Sequence, residues 1–116
     1  MVPVFDGHND VLLRLWMKKQ GDPVADFLNG ETGGHLDLPR MIKGGFQGGF
    51  FAIFAPSPED ADLDDDEDMN PPPANQVGQF GALNATIGMA SILFRIAERS
   101  EGRFKVCRTA AEIRDA

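Results

Sequence analysis

The chain has 116 residues, 42% apolar and 25% charged, a balance that is typical of globular proteins and excludes the disordered and fibrous classes. Its formal net charge is −7, but eight acidic residues fall within residues 59–68, so the remainder is nearly neutral and has no basic patch for nucleic acid. The single cysteine excludes an internal disulfide framework. The sequence shows no secretory signal and no stretch near the roughly 20 apolar residues of a membrane span, so we expect one cytoplasmic domain without a membrane partner.

The first third of the chain predicts one strand and one helix, followed by a loop. Residues 2–6 form a short apolar run, and we expect a buried strand there. Apolar residues at helical spacing predict a helix over residues 11–19, with Asp10 available as its N-cap. Residues 21–38 show no sustained period and predict a loop with a short helical turn over residues 24–28.

A second helix and a second strand are predicted next. Residues 38–43 indicate a short helix with proline in its first turn. An almost continuous apolar run predicts a strand over residues 50–55 that is buried on both faces, as in parallel sheets covered by helices. We interpret Gly48 and Gly49 as a tight entry into that strand. They lack the following Lys-Ser or Lys-Thr of a nucleotide loop, so a phosphate cradle is not expected.

Residues 56–74 combine the acidic tract with three consecutive prolines, and we predict an acidic, proline-rich surface excursion there. The aspartates of this segment fit the first, third and fifth positions of an EF-hand calcium loop. However, Asp65 stands where that loop requires glycine, and Pro71 stands where it requires glutamate. A calcium site is therefore not expected.

Residues 76–99 predict the longest helix of the chain, because apolar side chains recur every three or four positions. The main predicted stripe consists of Phe80, Leu83, Ile87, Ala90, Phe94 and Ala97. A second apolar flank comprises Met89, Ile92, Leu93 and Ile96. We therefore expect this helix to need partners on more than one side, and Gly102 is its predicted C-cap.

The C-terminal residues predict an extended segment and a last helix. Residues 104–107 are the candidate extended segment, and we interpret Cys107 as a small core residue rather than a nucleophile. Thr109, with Glu112 three residues later, forms a capping box that begins the helix. The order of strands and helices predicts parallel α/β architecture, but two confident strands are too few for a finished barrel or doubly wound sheet.

His8 and Asp10 are the candidate metal ligands. They lie two residues apart after the first predicted strand, so a strand that persists through them would place both side chains on one face. An imidazole and a carboxylate suit zinc, manganese or another borderline divalent cation. Catalytic groups also collect at the C-terminal ends of strands in parallel α/β folds.

A simpler interpretation of the same pair stays open on spacing alone. His8 could satisfy a turn carbonyl while Asp10 merely caps the helix over residues 11–19. The other histidine, His35, has only Asp37 near it at a ligand spacing, and we do not expect it to bind a metal.

Residues 6–10, Asp-Gly-His-Asn-Asp, resemble the opening of the membrane (renal) dipeptidase family. Two further blocks follow in the family's order. Residues 36–56, with Leu-Pro-Arg and paired glycines, are similar to its second-strand block, and residues 104–113 resemble the segment that leads into its third strand. Together these matches cover most of the chain apart from the acidic tract.

The resemblance implies that the chain is the N-terminal part of a (β/α)8 TIM barrel of the amidohydrolase superfamily, incomplete as it stands. It implies a dipeptide substrate and two zinc ions that activate a water to attack the peptide carbonyl. His8 and Asp10 would bind the first metal, and the remaining ligands would lie beyond Ala116. The 116-residue chain alone is accordingly expected to be inactive. A homodimer stays open as the assembly.

The chain departs from the family pattern in its second block. The glutamine of the family's Gln-Phe-Trp triplet falls on Gly49, and its tryptophan falls on Phe51, so hydrogen-bonding capacity is lost. Two alternatives therefore stay open: another amidohydrolase with a different amide substrate, and a non-catalytic metal-binding or interaction module.

Overall fold

A computed structural model describes residues 1–57 and 78–116 as a mixed α/β arrangement. Two strands, β1 (Val4–Asn9) and β2 (Phe46–Phe51), form one sheet. The described helices are α1 (Val11–Trp16), α2 (Pro23–Asn29), α3 (Leu38–Lys43), α4 (Gln79–Arg99) and α5 (Ala110–Asp115). The predicted acidic excursion over residues 56–74 lies, from residue 58 onward, outside the described residues.

The two strands pair in parallel, as the alternation of elements predicts. Asp6 lies opposite Gly49 and Asn9 opposite Phe51, with an irregular register between the two pairs. The predicted bounds of both strands were wrong: β1 extends to Asn9, and β2 covers residues 46–51 instead of 50–55. The bounds of β2 are set by its pairing with β1. That pairing includes Gly48 and Gly49, which the sequence analysis interprets as a tight entry into the strand.

The prediction that both strands are buried was wrong for the described part of the chain. Val4 is 46% exposed, Phe5 50% and Phe50 61%. The apolar pattern reports what a strand can bury, whereas actual burial depends on neighbours. Because the sheet consists of two strands within the described residues, much of its apolar surface faces solvent.

Three short helices connect the two strands, and side chains cap the second and third of them. The first, α1, ends at Trp16 instead of residue 19. The predicted helical turn is the two-turn helix α2, where Asp22 accepts hydrogen bonds from the backbone of Val24 (3.0 Å) and Ala25 (3.2 Å). Helix α3 has its predicted bounds, and Asp37 caps it by accepting a hydrogen bond from the Arg40 backbone at 2.9 Å. Side-chain acceptors of this kind satisfy the free N–H groups of a helix start.

The core lies where α1 and α2 pack against one side of α4, and α3 packs against α2. Its largest fully buried apolar side chains are Leu12, Leu15, Val24, Phe27, Met89 and Ile96. Of the two apolar faces predicted for α4, the second flank is the buried one, through Met89, Ile92 and Ile96. The main stripe is not, because Phe80, Leu83, Ile87 and Phe94 are exposed. Helical periodicity marks every apolar face of a helix, and packing against α1 and α2 selects one of them.

By length and composition alone, α4 is a helix that could cross a membrane, which the sequence-based expectation overlooked. Four of its residues belong to the hydrophobic core described above. The core helix of a water-soluble protein meets the same length and composition criteria, so this observation is weak evidence for a membrane span.

The chain turns sharply after α4. Ser100, not Gly102, is the C-cap of that helix, and its hydroxyl accepts a hydrogen bond from the Phe104 backbone at 3.1 Å. Residues 104–107 belong to neither described strand, although the Phe104 ring packs edge-on against Phe51 at 5.3 Å between ring centroids. The cysteine at position 107 is half-buried.

Helix α5 begins as the capping box predicts. The Thr109 hydroxyl accepts a hydrogen bond from the Glu112 backbone at 3.1 Å. The Glu112 carboxylate accepts from the backbone N–H of Arg108, one residue before the cap. This hydrogen bond is the main reason that the pKa of Glu112 is lowered.

Candidate metal centre

The candidate metal centre is the pair His8 and Asp10 at the C-terminal end of β1. The strand conformation persists through His8 to Asn9, and Asp10 follows as the N-cap residue of α1. The two side chains converge, with His8 Nε2 3.1 Å from Asp10 Oδ1. Both are well exposed, at 66% and 57% of their side-chain surface, so an ion could reach them directly.

The simpler interpretation of this pair does not match the geometry. Asp10 occupies the N-cap position but makes no side-chain capping hydrogen bond to α1. Its Oδ1 faces the His8 ring instead. The first N–H of the helix, that of Val11, is 3.3 Å from the side-chain oxygen of Asn9, which accepts its hydrogen bond.

Two neighbouring side chains hold the turn around the pair. Asp6 accepts a hydrogen bond from the His8 backbone at 3.2 Å through Oδ1, and one from the Asn9 amide at 3.0 Å through Oδ2. The Asn9 amide also lies 3.5 Å from the Phe50 carbonyl of β2. Sequence reasoning singled out neither residue, although Asp and Asn at short spacing commonly bind nearby backbone in this way.

The chemistry of the pair fits a divalent metal but does not complete a site. Zinc binds imidazole nitrogen and carboxylate oxygen, and a catalytic zinc site needs three protein ligands and an open position. Among residues 1–57 and 78–116, no group of three or more His, Cys, Asp or Glu could hold a metal ion. His8 and Asp10 would therefore supply only part of a ligand set.

The other histidine stays apart from this chemistry. His35 is exposed in the loop before α3. Its only neighbour at a ligand spacing, Asp37, is buried and binds the Arg40 side chain at 2.7 Å. Burial acts to raise the pKa of Asp37, but hydrogen bonds from Arg40 and the backbone of Glu31 outweigh it and lower the pKa.

A second cluster of charges joins α1 to the loop before α3. Glu31 is nearly buried and forms ion pairs with both Arg14 and Lys18. Lys18 also donates to Asp26 at 2.8 Å. Burial acts to raise the pKa of Glu31, but the hydrogen bonds from Lys18 and Arg14 lower it overall. Every carboxylate of this cluster has a cationic partner, so we assign it to the stability of the loop.

The whole chain matches the model of one protein family. The sequence profile of "Membrane dipeptidase (Peptidase family M19)" matches residues 1–116. An uncharacterised protein of Acinetobacter calcoaceticus, from the 3′ region of PQQ-III, is 56% identical over 55 residues, which are 47% of this chain and 18% of that protein. The dipeptidase ataJ of Aspergillus terreus is 24% identical over 112 residues, covering 97% of this chain and 25% of that protein.

A solved structure shares the arrangement. The crystal structure of dipeptidase AC, a metallopeptidase of family M19, superposes with a TM-score of 0.78 at 45% identity, over 98% of this chain and 31% of that one. The chain thus spans a quarter or less of the two sequence relatives and about a third of the crystallised dipeptidase. These matches confirm the resemblance seen in residues 6–10: the chain belongs to the membrane dipeptidase family, peptidase family M19.

Proposed function

We propose that the complete protein containing this chain is a zinc-dependent dipeptidase, and that His8 and Asp10 form part of its first metal site. The observation that carries the proposal is the 3.1 Å approach of His8 Nε2 to Asp10 Oδ1 at the end of a parallel strand. Family membership supports a metal-dependent hydrolase of dipeptides. A dipeptide is accordingly the proposed substrate, and the cytoplasm is the proposed location.

We further propose that residues 1–116 are the N-terminal segment of a (β/α)8 barrel. The support is the parallel pair β1 and β2, together with apolar surface that the described residues leave uncovered on β1, β2 and α4. A barrel places further strands and helices against such surfaces. The match to about a third of a dipeptidase chain agrees with a longer protein.

The two side chains have separable roles in this proposal. His8 would bind as neutral imidazole, and Asp10 would add the negative charge that helps retain a divalent ion. Zinc, when bound, lowers the pKa of a bound water and polarises the scissile carbonyl. The two side chains project from the end of β1 and from the residue before α1, so both lie at the same end of the strand.

A different amide substrate is the second candidate function. Gly49 stands where the family pattern has glutamine, and an ideal Cβ built there would lie 2.8 Å from the ring of Phe46 and 3.0 Å from Asp6 Cβ. A glutamine at position 49 would therefore require the Phe46 ring to move and Asp6 in β1 to shift by a few tenths of an ångström. The edge of the site next to β2 consequently differs from the family pattern, which supports an altered substrate preference.

Metal content in matched variants tests the proposal. In the complete protein, the double variant His8→Ala, Asp10→Ala should lose zinc and dipeptide hydrolysis. The control is His35→Ala, which changes the other histidine of the chain and should leave both unchanged. Elemental analysis of the purified proteins and hydrolysis of a dipeptide panel are the measurements. Unchanged zinc in the double variant would contradict the assignment, and hydrolysis confined to other amides would favour the second candidate.

A further inference from the structure

We infer that Asp6 and Asn9 are positioning residues that hold His8 and Asp10 in the arrangement that receives the metal. This inference rests on the proposed function. Neither residue is a ligand in the proposed site. They act through their hydrogen bonds to each other and to the backbone on both sides of the ligand pair.

Asp6 fixes the residue that carries the imidazole. Its Oδ1 accepts the backbone N–H of His8 at 3.2 Å, and its Oδ2 accepts the Asn9 amide at 3.0 Å. The sheet register between Asp6 and Asn9 is irregular, so regular pairing with β2 does not fix the backbone of His8. The Asp6 carboxylate therefore supplies the acceptor that a regular ladder would have supplied.

Asn9 fixes the residue that carries the carboxylate. Its side-chain oxygen accepts the N–H of Val11 at 3.3 Å, which leaves the Asp10 carboxylate free to face His8. Its amide nitrogen lies close to Asp6 and, at 3.5 Å, to the Phe50 carbonyl of β2. Asn9 thus connects the helix start after Asp10 with the strand before His8.

The direction of the donor and acceptor groups makes this arrangement testable. Asp6 only accepts hydrogen bonds, whereas Asn9 both donates to Asp6 and accepts from Val11. The exchange Asp6→Asn, Asn9→Asp preserves the side-chain volumes and the total charge. It also keeps one donor and one acceptor at the contact between positions 6 and 9. Either single substitution breaks that match. Asp6→Asn replaces one of the two acceptor oxygens that serve His8 and Asn9, and Asn9→Asp removes the donor and places two carboxylates against each other.

Charge alone would give a different result from positioning. Asn9→Asp adds a negative charge beside a cation site, so a purely electrostatic effect would tighten zinc binding, and Asp6→Asn would weaken it. Positioning predicts that both substitutions weaken zinc binding. Loss of an outer hydrogen-bond partner of a metal ligand commonly costs about 10–100-fold in metal affinity.

The experiment measures zinc affinity by competition with a chelator in the complete protein. The variants are Asp6→Asn, Asn9→Asp and the exchange Asp6→Asn, Asn9→Asp, each with metal-free thermal unfolding to verify the fold. We expect a loss of about 10–100-fold in each single variant and recovery of most of that loss in the exchange. If Asn9→Asp does not fold, Asn9→Ala removes the same hydrogen bonds without adding charge and replaces it.

The outcomes separate this inference from the proposed function. If His8→Ala loses zinc but Asp6→Asn and Asn9→Asp both bind it with unchanged affinity, the inference is overturned and the proposed function is not. Tighter zinc binding in Asn9→Asp also overturns it, in favour of a charge effect. Zinc that is retained in His8→Ala overturns the proposed function and this inference with it.

Discussion

The indole of Trp16 in α1 lies against Gly88 in α4, and a Cβ at position 88 would overlap the indole nitrogen. This close approach brings the two helices together beside the buried side chains of Leu15 and Met89. Glycine in the middle of a 21-residue helix normally weakens the helix. Here its missing side chain makes room for the partner helix.

Gly88→Ala should therefore destabilise the complete protein by about 1–3 kcal/mol, despite the better helix propensity of alanine, because the Trp16 ring must move. The control is Gly81→Ala in the same helix, at an exposed position, where the propensity gain is not opposed by that contact. Chemical unfolding of both variants is the measurement. Equal stability changes in the two variants would contradict the packing role of Gly88.

Removal of the Glu31 charge should lower stability in a pH-dependent way. The pKa of Glu31 is lowered in the folded chain, so its contribution is present above its ordinary pKa of 4.5 and is lost as the pH falls below that value. Glu31→Gln should cost about 1–3 kcal/mol near neutral pH, since hydrogen bonds to charged partners are lost.

The difference between the wild type and Glu31→Gln should shrink steadily below pH 4.5. Unfolding midpoints measured from pH 7 to pH 3 test this expectation. Glu98→Gln, on the C-terminal half of α4, is a suitable control, because Glu98 is exposed. A difference that stays constant with pH would show that the Glu31 ion pairs do not account for the effect.

Gly49→Ala should weaken zinc binding in the complete protein. The added Cβ would lie 3.0 Å from Asp6 Cβ and 3.2 Å from the Asp6 carbonyl oxygen, so Asp6 must move together with its hydrogen bonds. We expect a loss of about 10-fold or more in zinc affinity. Gly7→Ala is the matched control, since a Cβ at Gly7 meets nothing within 4 Å although it is the residue before His8. Equal affinities for both variants would contradict this expectation.

The 116-residue chain alone should hydrolyse no dipeptide, even when supplied with zinc. Two side chains fall short of the three protein ligands and open position of a catalytic zinc. A sensitive assay of product release, with the complete protein as positive control, tests this expectation. Turnover by a preparation free of other peptidases would show that the chain contains a working site.

Local rules in the sequence predicted most of the helices. Pro39 in the first turn marked α3, and Thr109 with Glu112 marked α5, because each signal acts within four residues. The bounds of β2 were missed because they depend on pairing with a strand about forty residues earlier. The sequence indicated two apolar faces on α4, and only packing against neighbouring helices determines that the flank with Met89, Ile92 and Ile96 is the buried one.

The sequence predicted His8 and Asp10 as metal ligands, but it did not predict the hydrogen bonds of Asp6 and Asn9 that hold the turn around them. His8 and Asp10 stand out as residue types, and the extension of β1 to Asn9 agrees with the expectation that they share a face. Asp6 and Asn9 resemble ordinary turn residues, and only the hydrogen bonds of the folded chain distinguish them. Their roles, like the metal itself, stay predictions until zinc affinity is measured.

The contact between the Asn9 side chain and the Phe50 carbonyl spans 41 positions of the chain. The two proposed ligands are neighbours in sequence, yet this contact to their turn forms only after β2 has been synthesised and docked beside β1. Such a non-local contact forms late, because a long loop must close first. We therefore expect the turn around His8 and Asp10 to gain this contact only after residue 50 has been synthesised, whereas its other side-chain hydrogen bonds join residues at most three positions apart.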